Sequence, residues 1–203
     1  MAINIVDAVQ ARLGTTAIKK IDVNTMHQSD TSRPGATDHA AQAATAAVLV
    51  ALYRFGKTDE GAANLAHNTS GNWLQTIFMN RDEVAVDKVA KYADVSVDEA
   101  RKLMTDVADA AVKEVHRNID EKATPEKIKS YLASQRHNIL VYLPAELEMG
   151  KILDDPILDD RTNKMEGPFS SFMHLIEDLM SPGDKTNTEA FRRKDEFFSR
   201  KDR

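Results

Sequence analysis

The segment TDHAAQAATAAVLVALYRFGKTDEGAANLAHN, residues 37–68, constrains this chain more than any other. Alanine has the highest helix propensity and loses no side-chain entropy on ordering, so residues 38–55 are predicted to form a helix. Gly56 stops it, Thr58 caps the next turn, and residues 59–67 form a second small-residue helix. Side chains this small let backbones approach closely, which places the pair at the centre of a compact helical bundle. The uncharged stretch, residues 40–53, contains Gln42 and Thr45. It is shorter than the roughly 20 apolar residues a membrane span requires, so it is predicted to be a buried core helix and no span is expected.

Helical spacing continues on both sides. Residues 3–13 place Ile3, Ile5, Val6, Val9 and Leu13 on one face before Gly14. Residues 18–23 are predicted to begin another short helix, and residues 26–37, polar with a Pro-Gly pair, a loop. Residues 72–79, with the single tryptophan Trp73, and residues 83–93 follow as helices. Ser96 and Glu99 form a capping box, beyond which Ala100, Leu103, Met104, Val107, Ala111 and Val115 mark a helix over 97–118. Thr124 and Pro125 start another helix, carrying Ile128, Tyr131, Leu132 and Ile139. Pro144 opens a last short helix, ending near Leu153.

Residues 154–167 are predicted to form an acidic loop, and 169–180 an apolar helix stopped by Ser181, Pro182 and Gly183. No run alternates with period two. The expected fold is an all-α bundle of about eight helices: a core over residues 1–153, residues 154–183 packed on it, and a charged aromatic tail over 184–203.

A net charge of -5 argues against a protein built to hold nucleic acid or an anionic membrane. With no cysteine, disulfides, thiolate metal sites and cysteine nucleophiles are excluded, which fits a reducing cytoplasm. The opening MAINIVDAVQARLG has none of the features of a secretory leader.

Three stretches together resemble the bacterial YidB-like family: NIVDAVQARLG, the alanine-rich helix running into GKTDEGAANL, and YLASQRHNILVYLPAEL. The resemblance covers roughly residues 3–153. It implies a helical domain of unknown function, with no cofactor and no catalytic residues to carry over. The loop at 26–37 and everything after Asp154 lie outside it.

Several groups are candidates for chemistry. Residues 89–103, VAKYADVSVDEARKL, imitate a helix-turn-helix reader, but Asp98 and Glu99 occupy the end that would face phosphate, against Arg101 and Lys102. Asp154, Asp155, Asp159, Asp160, Asn163 and Glu166 offer oxygen ligands to a cation without the alternation or glycine of an EF-hand. His174 and Glu177 share a helical face, as in carboxylate-bridged metal bundles, though no second copy of the motif exists. No serine elbow or phosphate-binding glycine loop is present, so no catalytic residue is assigned. In the tail, Phe191, Phe197 and Phe198 interleave with basic residues and are candidate partner contacts. The leading expectation is a non-enzymatic interaction or scaffolding protein with a protein partner or self-association. The alternative is a metal- or ligand-binding bundle, or an enzyme, with its site near the acidic loop and His174.

Overall fold

The structure is a computed structural model that describes residues 4–15, 17–21, 36–119, 123–155 and 158. Every one of them belongs to the first of the chain's two compact units, Met1–Met165. The loop expected at 26–37, nearly all of the acidic loop, the helix expected at 169–180 and the tail therefore fall largely or wholly outside the described residues.

The described residues form an all-α bundle with no strand. Its helices are α1 (Ile5–Leu13), α2 (Ala36–Gly56), α3 (Asp59–His67), α4 (Trp73–Ile77), α5 (Asp82–Ala93), α6 (Val97–Asn118), α7 (Pro125–Leu140) and α8 (Met149–Leu153). A 3-10 turn, Ala145–Leu147, precedes α8. The central element is α2, which packs against α3, α4, α5, α6, α7 and α8. Residues 43–52 are buried without interruption, so this helix has no solvent face over nearly three turns. Leu49 and Leu52, fully enclosed, each contribute about 1.5–3 kcal/mol of apolar transfer. The neighbouring alanines contribute mainly by being small.

Caps set the other boundaries. Ser96 accepts from the Glu99 N–H at 3.2 Å, and α6 begins one residue later. Thr124 caps α7 with Pro125 in its first turn. Gly14, at φ 64°, closes α1 in the left-handed conformation that glycine adopts without penalty.

The helix expected at 18–23 is not formed over its described part. Residues 17–21 have no regular structure. Two isoleucines cannot define an apolar helical face, and the non-helical backbone finds partners elsewhere in the bundle. The Ile21 N–H donates to the Val141 carbonyl at 2.9 Å. The Gln42 carboxamide grips Lys19 on both sides, donating to its carbonyl at 2.9 Å and accepting from its N–H at 3.4 Å.

Buried polar groups tie α1 down. Gln135 on α7, fully enclosed, accepts from the Ile5 N–H at 3.0 Å, satisfying an otherwise orphaned donor of the first turn. Glu114 on α6 is only 2 % exposed, and its Oε1 receives Arg12 through Nε at 2.7 Å and Nη2 at 2.5 Å. Arg117 approaches the same oxygen at 3.7 Å.

The α2–α3 junction admits no side chain at Gly61. A Cβ there would lie 2.0 Å from the Phe55 carbonyl oxygen and 2.8 Å from Thr58 Oγ1. At Gly56 it would lie 2.2 Å from Leu132 Cδ1, the far end of a side chain that has other rotamers. Gly61→Ala should therefore lower stability by about 3 kcal/mol or more, because backbone must move and the Thr58 cap with it. Gly56→Ala should cost about 1–3 kcal/mol. Urea denaturation of both variants checks the order, and equal midpoints would refute this account of the turn.

Candidate functional site

Only four residues, 78–81, join α4 to α5. Ile77 and Phe78 are fully buried on one side of this junction. On the other, Arg81 is hooked to α8, donating to the Ile152 carbonyl at 2.9 Å and to Asp154 at 2.5 Å. Between these anchors Met79 (φ 52°) and Asn80 (φ 63°) both take the left-handed conformation. Asparagine tolerates that region, whereas an unbranched apolar residue there costs about 1–2 kcal/mol. Three backbone bonds hold the turn: Met79 N–H to Thr76 O, Asn80 N–H to Gln75 O, and Arg81 N–H to Phe78 O, all 3.0–3.1 Å.

This strained turn forms one lip of a groove of about 330 Å³. Its walls come from the end of α2 (Phe55), from α3 (Glu60 and Asn64), and from α4 with its turn (Gln75, Thr76, Met79 and Asn80). The Met79 side chain is 42 % exposed, one of few large apolar groups left in solvent among the described residues. The lining thus combines three carboxamides, one carboxylate and a polarizable thioether. It is suited to hydrogen-bonding an uncharged polar ligand or main chain beside an apolar group.

A second groove, of about 410 Å³, is lined by Ala8, Ala11, Arg12, Glu114 and Arg117. Its charges already satisfy one another. Arg12 and Arg117 occupy the last turns of α1 and α6, where a cation complements the carbonyl ends of both helices. Behind it, burial and the Glu114 charge push the Tyr131 phenol up to about 12, and its hydroxyl has no hydrogen-bond partner. Structural ion pairing accounts for this groove.

Of the cation-ligand candidates, Asp154 and Asp155 are described and both face arginine. Asp154, in a left-handed residue that ends α8, pairs with Arg81 at 2.5 Å. The hydrogen bond from Arg81, its charge, and the charge of Arg54 hold the Asp154 carboxyl below its ordinary range. Asp155 lies 3.2 Å from Arg54 Nε, an ion pair by proximity, since that N–H makes no aligned hydrogen bond. Asp159, Asp160, Asn163, Glu166, His174, Glu177, Phe191, Phe197 and Phe198 lie outside the described residues. Among the described residues no three histidine or acidic side chains converge as a metal site would require.

The segment resembling a DNA reader is two capped helices, α5 and α6, joined through Asp94 in the left-handed conformation. Arg101 is bound to α5, bridging to Glu83 and lying 3.9 Å from Asp82. One of the two basic groups that a phosphate would need is therefore already committed.

A third hook on α8 gives a pH signature. Glu148, itself left-handed, bonds Lys151 and Lys88, and together they lower its pKa from 4.5 to about 2. Because the folded value lies below the unfolded one, this stabilisation is complete above about pH 4.5 and fades as pH falls toward about 2. Thermal melts should show wild type above Glu148→Gln at neutral pH, with the gap closing across that window. A gap independent of pH would remove the ion pairs as its cause. No family model, no curated protein and no solved structure matches this chain.

Proposed function

We propose that this chain is a non-enzymatic interaction module that holds a protein partner through the groove between α3 and the α4–α5 turn. The observation that carries the reading is Met79, whose exposed thioether sits at the lip of a polar groove on a backbone that favours glycine. Strain of this kind persists where surrounding structure imposes it, and it concentrates at ligand-contact sites. Methionine is also the apolar side chain that adapts best to the shape of a partner. The YidB-like resemblance over residues 3–153 belongs to this proposal, as do a bacterial source and a cytoplasmic location. Supporting them are the helical pattern, the absence of catalytic motifs, the lack of cysteine and the net charge of -5. The reading as a metal-binding bundle gains nothing from Asp154 and Asp155, which arginines already engage.

Met79→Gly separates structure from function. Glycine relieves the left-handed strain but adds chain entropy to the unfolded state, so stability should stay level or rise by up to about 1 kcal/mol. Partner recovery on the tagged full-length protein should nevertheless fall sharply. A variant that loses stability while keeping every co-purifying protein would show that Met79 serves the fold alone.

A further inference from the structure

The unpaired polar groups of the groove indicate what its occupant carries. Asn64 accepts from Asn68 and Gln75 accepts from Asn72, each through its oxygen at 3.2 Å, which leaves both NH₂ groups to donate elsewhere. The Asn80 carboxamide and the Glu60 carboxylate make no hydrogen bond or ion pair with the described residues. Neighbouring charges are otherwise placed: Asp59 is bound to Lys129, Arg81 to Asp154, and Lys57 is not part of the lining. Glu60 is thus the one ionisable group among the described residues that line the groove, which carries a negative charge on a protein that is itself net negative.

A carboxamide offers a donor and an acceptor at the spacing of a peptide unit. This molecule already uses that match internally, where Gln42 grips the N–H and C=O of Lys19. We infer that the groove takes a short extended segment of the partner protein that bears a lysine or arginine. Its main chain pairs with the carboxamides of Asn64, Gln75 and Asn80, its cation faces Glu60, and an aliphatic neighbour lies against Met79. The inference rests on the groove being the partner contact. Its volume, about 330 Å³, sits at the small end of binding pockets, which run about 300–1,000 Å³, and limits the occupant to a short stretch. Charge complementarity selects a basic segment and rejects an acidic one.

The blocked peptide acetyl-Gly-Lys-Leu-Gly-amide, titrated into the ¹⁵N-labelled full chain, should shift the side-chain NH₂ signals of Asn64, Gln75 and Asn80 saturably. Replacing the peptide's lysine with glutamate, or Glu60→Gln in the protein, should weaken binding by up to about fivefold, the worth of one exposed ion pair. Glu60 is exposed, so the variant folds. Equal affinity for the lysine and glutamate peptides would overturn the inference while leaving the groove as the contact. Peptides that leave these signals unmoved, while Met79→Gly still loses its partners, would likewise overturn the inference alone. Saturation by glucose but by neither peptide would overturn it in favour of a sugar ligand.

Discussion

Backbone proximity around α2 is the constraint on which the rest of this bundle depends. Six helices pack against one helix that has no solvent face from residue 43 to residue 52. Such crowding is open to a helix in which half the side chains of this stretch are methyl groups, since larger ones there would hold the neighbours further out. The same demand continues into the turn that follows, where Gly56 accommodates Leu132 and Gly61 accommodates the Phe55 carbonyl. Close packing sets the position of α3, and α3 carries Glu60 and Asn64 of the polar wall of the groove.

Around that dense centre, directional interactions choose between alternative arrangements. Apolar burial is indifferent to small rotations of α1, but two polar contacts are not. Gln135 fixes its first turn and Glu114 its last, so both ends are specified by groups that would be costly to leave unpaired. At the other end of the described chain, Arg54, Arg81 and Lys88 hold α8 through Asp155, Asp154 and Glu148. These surface pairs add little stability singly. Their effect is to fix α8 in place.

What was legible in the sequence followed from local rules. The capping serine and unbroken helical spacing located α6 at both ends, and alanine content marked α2 as the core. Groups whose partners lie far away in the chain were hidden. Gln135 occupies a core position of α7, in step with Ile128, Leu132 and Ile139, and Glu114 does the same on α6. A polar residue in an apolar row was the available signal, but its partner lay 130 residues away for Gln135 and 102 for Glu114. Residues 17–21 failed as a helix for the same reason, because the competing partners, Gln42 and Val141, come from α2 and the end of α7. The groove was invisible because it takes single amides from separate elements, none of them part of a motif.

The strain at Met79 is best understood through what lies on either side of it. Shortening α4 to five residues buries Ile77 and Phe78, and hooking Arg81 to α8 fixes where α5 must begin. The chain between these anchors has no freedom to avoid the left-handed region, so the fold imposes the conformation. It does not impose the residue. Glycine or a second asparagine would meet the geometry at lower cost, and methionine remains 42 % exposed in return. A position where the backbone disfavours the side chain and the core does not use it calls for a reason outside the folded monomer, and the groove beside it supplies one.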